Sequence, residues 1–306
     1  MAILEVDDLR KEYGGFTAVE GSSFEIERGE VFGVVGPNGA GKTTTLKMLA
    51  GLIEPTAGTA VVAGHTPGEP AMQRRLGFLP EESPLYEEMT AIDYLEFFAD
   101  LYDVPADVAH ERIHDSLDRL DLEHRDRRIG NMSKGMQRKV AIARALVNDP
   151  DVLIFDEPAS GLDPLTTNYI IEFTRELSDE GKTIVFSAHN LFHVESICDR
   201  IVIMNDGRIV ARGTLEEIRD AHGGTEYHVY ATGDGSEGVD DGHSPLDVTR
   251  ENGQVRHVVG DMAAVDAIRD TVEADGGRVT DIQTKTPSLE EIFLEVAREP
   301  TEEAEA

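Results

Sequence analysis

A glycine-rich segment that ends in lysine and threonine constrains this 306-residue chain more than any other feature. Residues 36–43 read Gly-Pro-Asn-Gly-Ala-Gly-Lys-Thr and fit the pattern G-x-x-x-x-G-K-[ST]. The glycines allow the backbone to turn so that successive N–H groups point inward at phosphate oxygens. The apolar run Val31–Val35 precedes the segment, and helical periodicity over Lys42–Leu49 follows it. This context predicts a phosphate-binding loop between a strand and a helix; the alternative is a simple glycine-rich turn.

The residues at the end of the loop indicate how it would hold its ligand. Lys42 supplies a positive charge to the β- and γ-phosphates, and Thr43 offers its hydroxyl to Mg²⁺. The helix that follows points its positive end at the same anion. The predicted nucleotide-binding residues of this segment are Gly36, Pro37, Asn38, Gly39, Ala40, Gly41, Lys42, Thr43 and Thr44.

A second motif places two carboxylates after a short apolar run. Val152–Phe155 is followed directly by Asp156 and Glu157. A buried strand that ends in Asp places that carboxylate beside the Mg²⁺ and its water shell. Glu157 points in another direction, toward the position of an attacking water, so we interpret it as the candidate general base. The alternative is an ordinary strand that ends in a polar turn.

The order of the predicted elements indicates an α/β fold for residues 1–222. Short apolar strands alternate with helical segments, which is typical of a largely parallel sheet covered by helices. The predicted strands are Ile3–Leu9, Ser22–Ile26, Val31–Val35, Val152–Phe155, Thr183–Ser187 and Ile201–Met204. Between about residues 82 and 131 the pattern becomes helical, with predicted helices over Ala91–Tyr102 and Ala106–Asp121. This stretch predicts an inserted helical subdomain.

Residues 223–297 predict a small α+β accessory domain. A stretch rich in Gly, Asp and Ser, residues 232–244, is typical of a loop. The predicted elements after it are the strand Gln254–Val259, the helix Met262–Ala274, the strand Arg278–Thr284 and the helix Ser288–Val296. The tail 298–306 is polar and acidic, and we predict that it is disordered.

The charge balance bears on partners and on the source of the protein. Sixty Asp and Glu against 28 Lys and Arg give a net charge of −32, and only 7 of the basic residues are lysine. Such a surface repels phosphate backbones, so we expect no nucleic-acid partner. Dispersed acidity with few lysines resembles proteins from very salty cytoplasm, where screening over about 3 Å at molar salt removes self-repulsion. We therefore hypothesise a halophilic source.

The sequence also favours a cytoplasmic location. No run approaches the roughly 18 consecutive apolar residues that a membrane span needs, and the first residues lack the pattern of a signal peptide. The single cysteine, Cys198, allows no intramolecular disulfide and favours a reducing compartment. We expect any membrane role to come through a partner.

With these motifs, residues 2–215 resemble the ATPases of ABC transporters. Tyr13 lies upstream of the loop, where that family stacks an aromatic ring on adenine; a surface tyrosine is the alternative. His189 follows the predicted strand Thr183–Ser187 and resembles the family's switch histidine, which contacts the γ-phosphate. A core histidine is the alternative for that residue.

Two more segments resemble the parts of the family that act across a dimer. Met132–Gln137 resembles the signature sequence LSGGQ and opens a predicted helix that runs to Val147. Its Ser133 and Gly135, at a helix N-terminus, would bind the γ-phosphate of ATP held by the opposite subunit. Residues 160–163, Ser-Gly-Leu-Asp, resemble the segment that crosses the interface.

The resemblance implies a P-loop NTPase fold of ABC type, and the chain contains the residues of both halves of that family's reaction site. ATP and Mg²⁺ are the implied ligands, with Glu157 and His189 as the implied catalytic residues. Neither half of the site is complete alone, so the implied assembly is a head-to-tail dimer, either of two copies or with a related cassette.

Three departures from the family pattern point to a subgroup. Glu81 stands where the family usually has a glutamine, and a glutamate there can still coordinate Mg²⁺ or its water. Lys134 replaces a usual glycine of the signature, and Met136 replaces a usual glutamine. These departures, with the ending at residues 287–293, resemble a subgroup that powers export of drugs, sodium or similar cargo with a separate membrane subunit.

The leading hypothesis is therefore the ATP-hydrolysing subunit of an exporter, peripheral at the inner face of the cell membrane. Hydrolysis would drive a conformational change in a separate integral membrane permease. One alternative is a soluble ABC-type ATPase that acts on ribosomes or DNA. Another is a regulatory cassette that does not hydrolyse ATP.

Overall fold

The computed structural model describes residues 2–222, 224–232, 247–251 and 254–296. The chain divides into two compact units, Met1–Thr214 and Leu215–Ala306. The break after Thr214 precedes the domain boundary that the sequence predicted at residue 222. Most of the predicted loop 232–244 and all of the predicted tail 298–306 lie outside the described residues.

The first unit contains nine strands and seven helices within its described residues. The strands are β1 (Ala2–Tyr13), β2 (Phe16–Glu27), β3 (Val31–Val35), β4 (Ala57–Val62), β5 (Leu76–Leu79), β6 (Val152–Asp156), β7 (Thr183–Ala188), β8 (Arg200–Asn205) and β9 (Arg208–Thr214). The helices are α1 (Lys42–Leu49), α2 (Pro70–Gln73), α3 (Ala91–Leu101), α4 (Ala106–Arg119), α5 (Lys134–Leu146), α6 (Pro164–Asp179) and α7 (Leu191–Ile197). A 3₁₀ turn covers Ile129–Asn131.

The larger sheet of this unit has six strands in the order β5-β6-β7-β3-β8-β9. Its first five strands are parallel, and β9 pairs antiparallel with β8. Both β3 and β6 are buried along their whole length, as is typical of parallel strands covered on both faces. Parallel strands end at the same edge, so the loops after Val35, Asp156 and Ala188 meet there. The predicted α/β fold is confirmed.

A second, antiparallel sheet in the order β2-β1-β4 lies beside the first. The turn between β1 and β2 consists of Gly14 and Gly15, with φ of 52° and 96°. Two consecutive positive φ values favour glycine, because in this conformation a Cβ crowds the residue's own backbone. Tyr13 therefore pairs directly with Phe16 across the turn. Buried side chains of both sheets form one hydrophobic core, which fixes this hairpin beside β3.

Helices α3 and α4 pack against each other and against α5, where the sequence predicted a helical subdomain. A capping box starts α3, since Thr90 Oγ1 accepts a bond of 3.2 Å from the Asp93 N–H and the Asp93 carboxylate accepts one from the Thr90 N–H. Both helices end slightly before their predicted ends. The backbone enters the left-handed region at Asp103 (φ 56°) and Asp121 (φ 48°), which stops each helix.

The second unit is an α+β arrangement with a four-stranded antiparallel sheet in the order β11-β12-β10-β13. Its elements are α8 (Leu215–Ala221), β10 (Glu226–Thr232), β11 (Asp247–Glu251), β12 (Gln254–Val259), α9 (Met262–Ala274), β13 (Arg278–Lys285) and α10 (Leu289–Val296). Helix α9 starts where Asp261 accepts a 2.8 Å bond from the Ala264 N–H. Its Val265, Ile268 and Val272 form a small core with the sheet.

In the described part of the chain, no helix is both long and apolar enough to cross a bilayer.

Candidate active site

The loop between β3 and α1 requires glycine at two positions. Gly36 has φ 153° and Gly41 has φ 99°. A Cβ at Gly36 would overlap the Met204 carbonyl oxygen, and one at Gly41 would lie 2.5 Å from the Ala18 carbonyl oxygen. The backbone of the loop is therefore held close to β2 and β8, and it turns directly into α1.

Lys42 is buried at the start of α1, and its ammonium lies inside the loop. Nζ donates to the carbonyl oxygens of Gly36 at 2.8 Å and Pro37 at 3.2 Å, and it lies 3.9 Å from Glu157 Oε1. Burial lowers the pKa of Lys42, although the carboxylates of Glu157, Asp156 and Glu81 act in the opposite direction. The ammonium thus donates to two neutral carbonyls and has a carboxylate at 3.9 Å, in a position where it can also contact an anionic ligand in the loop.

A cavity of about 390 Å³ opens beside this loop. The predicted nucleotide-binding residues 37–44 line it, together with the predicted metal residue Glu81 and the predicted base Glu157. Phe16 and Ala18 of β2 complete the lining. The arrangement brings backbone N–H groups, a lysine and two carboxylates to one opening, which is the chemistry expected for a nucleoside triphosphate.

The predicted adenine-stacking residue Tyr13 does not line this cavity. The residue is 48 % exposed, and Lys11 Nζ lies 5.1 Å from the centroid of its ring. Phe16, across the glycine turn and 65 % exposed, lines the cavity instead. The sequence prediction did not include Phe16. It directly follows the Gly14–Gly15 pair, as Tyr13 directly precedes it, and this position indicates that the two residues pair across the turn.

Asp156 ends β6 and is fully buried. Its Oδ1 accepts bonds from the hydroxyls of Ser187 at 2.7 Å and Thr43 at 3.3 Å. Among the described residues, none donates a hydrogen bond to its buried Oδ2. A buried carboxylate oxygen without a donor is costly unless a cation occupies the site. The structure thus brings Asp156 and Thr43 together, as the two motifs predicted.

Glu157 follows Asp156 in a left-handed conformation with φ 48°, which turns its side chain away from that of Asp156. Its N–H donates to Ser187 Oγ at 3.0 Å, so one serine hydroxyl holds both acidic residues. Glu157 Oε2 lies 2.7 Å from His189 Nδ1. Sequence reasoning missed Ser187, whose signal was a polar residue at the end of an apolar strand.

His189 lines a neighbouring cavity of about 330 Å³, which it shares with Glu157. Ser160 and Gly161 also line this second cavity. Glu157 therefore lies between the loop cavity and the segment 160–163. The predicted pair Glu157 and His189 is in direct contact, with the carboxylate buried and the imidazole mostly exposed.

The predicted signature residues lie at the N-terminus of α5. Ser133 caps the helix, and its Oγ accepts a 3.2 Å bond from the Met136 N–H. A Cβ at Gly135 would lie 3.2 Å from the Thr166 side chain, so this glycine lets α5 approach α6. Neither Ser133 nor Gly135 lines the cavity beside the phosphate-binding loop of the same chain.

Each unit matches a known protein family. Residues 19–160 match the ABC transporter family, and residues 213–297 match the C-terminal domain of the DrrA1-3-like ATP-binding proteins. The ABC transporter ATP-binding protein NatA of Bacillus subtilis is 43 % identical over 208 residues, which cover 67 % of this chain and 85 % of NatA. The Nod factor export ATP-binding protein I of Ralstonia nicotianae is 42 % identical over 219 residues, which cover 71 % of this chain and 68 % of that protein.

Solved structures agree in fold. An ATP-binding subunit of an ABC transporter superposes with a TM-score of 0.67 at 36 % identity, covering 72 % of this chain and 92 % of that one. A dimeric ATP-binding cassette in a post-hydrolysis state with ADP and Pi superposes with a TM-score of 0.64 at 25 % identity. The match covers 69 % of this chain and 98 % of that one.

The chain therefore belongs to the ATP-binding proteins of ABC transporters, a family of ATPases. Within that family it falls in the exporter-type subgroup, with the NatA, Nod factor export and linearmycin resistance proteins. It binds and hydrolyses ATP. These relatives do not favour the alternative of a soluble ATPase that acts on ribosomes or DNA.

Proposed function

We propose that this ATPase works as a head-to-tail dimer on a separate integral membrane permease, at the inner face of the cell membrane. The observation that carries the dimer is the position of Ser133 and Gly135. They form a helix N-terminus suited to an anion, yet they lie outside the loop cavity of their own chain. A second copy, turned head to tail, would bring its α5 to that cavity. A dimeric cassette among the structural relatives supports this arrangement.

Mg²⁺ fits the acidic end of β6. Asp156 Oδ2 is buried without a donor among the described residues, and the Thr43 hydroxyl lies 3.3 Å from the same carboxylate. Glu81 also lines the cavity. These oxygen donors are the kind that Mg²⁺ prefers. When bound, the ion would neutralise charge on the β- and γ-phosphate oxygens.

Glu157 is the group that would take the proton from the attacking water. As the water oxygen bonds to the γ-phosphorus, its proton passes to the Glu157 carboxylate. The bond between the γ-phosphorus and the β–γ bridging oxygen breaks, and its electron pair leaves with ADP. Lys42, 3.9 Å from Glu157, would hold the β- and γ-phosphate oxygens meanwhile. His189, 2.7 Å from Oε2, orients the carboxylate.

The test of the base is Glu157→Gln, which keeps the shape of the side chain and removes its basicity. We expect ATP binding within about twofold of the parent and hydrolysis reduced about 100-fold or more, within the range for general bases. The ATP-bound variant should elute as a dimer in size-exclusion chromatography. The matched control is Glu111→Gln on the exposed face of α4. Full activity in Glu157→Gln would refute the assignment.

A further inference from the structure

Arg138 is a buried guanidinium in the second turn of α5, and none of the functions above uses it. It is 8 % exposed. Burial lowers its pKa to about 10, with Asp156, Glu81 and Glu157 acting in the opposite direction and Arg144 with it. A charge in this position costs free energy unless its donors are well satisfied. The partners of its five N–H groups therefore show what the residue holds together.

One group of partners is the backbone at the end of β6. Arg138 Nε donates to the Pro158 carbonyl oxygen at 2.7 Å. Its Nη2 donates to the carbonyl oxygens of Glu157 at 2.8 Å and Asp156 at 3.2 Å. Glu157 has a positive φ, so the surroundings must hold its backbone in a conformation that is unfavourable by itself. The guanidinium supplies such contacts to three consecutive carbonyls.

The other group of partners lies in the segment after β5. Arg138 Nη1 donates to the carbonyl oxygens of Pro80 at 2.8 Å and Glu81 at 3.1 Å. The Ser83 hydroxyl lies 3.3 Å from the same nitrogen. Glu81 lines the loop cavity, so its position depends on a donor that belongs to α5.

We propose that Arg138 is a positioning residue for ATP hydrolysis, which fixes the Glu157 and Glu81 segments to the helix that begins at Ser133. The planar fork of a guanidinium spreads five donors over three nitrogens and so reaches two backbone segments at once, whereas a lysine ammonium has three donors on a single nitrogen. Movement of α5 is then passed to both carboxylates through one rigid group. The inference rests on the proposed role of Glu157 as base.

The first test compares Arg138→Lys and Arg138→Gln with the parent. We expect kcat to fall about 10- to 100-fold, in line with the effect of misplacing a reacting group by about 1 Å. The KM for MgATP should stay within about threefold, because the phosphate-binding loop is untouched. The matched control is Arg144→Lys on the same helix, whose guanidinium bonds Tyr94 Oη and the Phe78 carbonyl outside the site. It should lower Tm without this loss of kcat.

The second test is a double-mutant cycle measured by single-turnover hydrolysis of γ-labelled ATP. If Arg138 acts mainly through Glu157, adding Arg138→Lys to Glu157→Gln should lower the residual rate much less than the about 10- to 100-fold expected in the parent background, with the remainder arising from the Glu81 segment. A further loss equal to that in the parent background would overturn the proposal, as would parent kcat in folded Arg138→Lys. Unchanged hydrolysis in Glu157→Gln alone would instead refute the base assignment, so the two failures are distinguishable.

Discussion

Tyr13 and Phe16 close the same glycine turn, and their surroundings differ. Lys11 lies over the Tyr13 ring with Nζ 5.1 Å from the centroid, which occupies one face of that ring. Phe16 lines the cavity beside the phosphate-binding loop. An aromatic ring at the mouth of such a cavity provides a surface on which any base can stack. We therefore predict that Phe16, and not Tyr13, stacks on the nucleobase.

Phe16→Ala should weaken ATP binding by about tenfold, since stacking on an aromatic ring contributes about 1–3 kcal/mol per base. Tyr13→Ala is the matched control and should change the Kd by less than about twofold. Equilibrium titration with a fluorescent ATP analogue measures both. Tripolyphosphate has no base, so its affinity should be unchanged in either variant. A larger loss in Tyr13→Ala than in Phe16→Ala would return the assignment to Tyr13.

The site residues that the sequence could indicate are those that belong to a short local pattern. Lys42 and Thr43 open the helix after the loop that follows β3, and Asp156 and Glu157 lie at the end of β6, so the chain order alone places them at one edge of the sheet. Arg138 was missed because its partners lie 18 to 58 residues away along the chain. Those carbonyls meet at one guanidinium only because α5 packs against β5 and the Arg138 side chain reaches the end of β6.

At the scale of elements, α3 exposes an apolar surface. Phe97 is 40 % exposed and Leu101, one turn further along, is 62 % exposed. The Tyr86 ring packs edge-on against Phe97, with the centroids 5.9 Å apart. We call these three side chains the α3 patch. Apolar side chains grouped on one face are typical of a protein–protein contact, and we propose that the membrane permease binds here.

The double variant Phe97→Glu/Leu101→Glu should separate binding of the permease from hydrolysis. Two carboxylates in an apolar contact oppose association, because each would have to be desolvated without gaining a partner when the permease binds. We expect the isolated chain to keep its ATPase rate within about twofold, while its recovery with permease-containing membranes falls about tenfold or more. Leu52→Glu, also on an exposed leucine, is the control and should bind as the parent does. Equal membrane recovery of all three proteins would contradict the α3 patch.

The sequence predicted the first and last residue of some helices and strands correctly and did not predict others at all. The bounds of β3, α1, β12 and α9 agree with the prediction, because each combines a clear apolar period with a glycine or a capping residue at its start or end. Strand β4 was missed since only Ala60 and Val62 of it are buried. An edge strand with one or two inward side chains has no period to detect.

At the scale of the whole molecule, the net charge follows from the sequence alone and is the same in the folded and the unfolded chain. The chain carries 60 acidic and 28 basic residues. Several of the basic groups are already committed to single acidic partners, such as Arg75 to Asp151 at 2.6 Å and Arg128 to Glu88 at 2.7 Å. The excess of carboxylates therefore has no counter-charge in the protein, and the folded state brings these like charges closer than the unfolded chain does.

Salt should stabilise this protein by screening that repulsion. The screening length falls from about 10 Å at 0.1 M to about 3 Å at 1 M salt, so exposed carboxylates then interact only with near neighbours. If screening contributes about 2–3 kcal/mol, Tm should rise by about 4–12 °C between 0.1 M and 2 M KCl, at the roughly 2–4 °C per kcal/mol usual for domains of this size. Calorimetry measures the change, and NaCl should act as KCl does because the effect depends on ionic strength. Sorbitol at matched osmolality controls for exclusion of solutes from the surface and should give a smaller rise. Equal Tm at both KCl concentrations would show that the repulsion is offset within the fold, and it would remove the basis for a halophilic source.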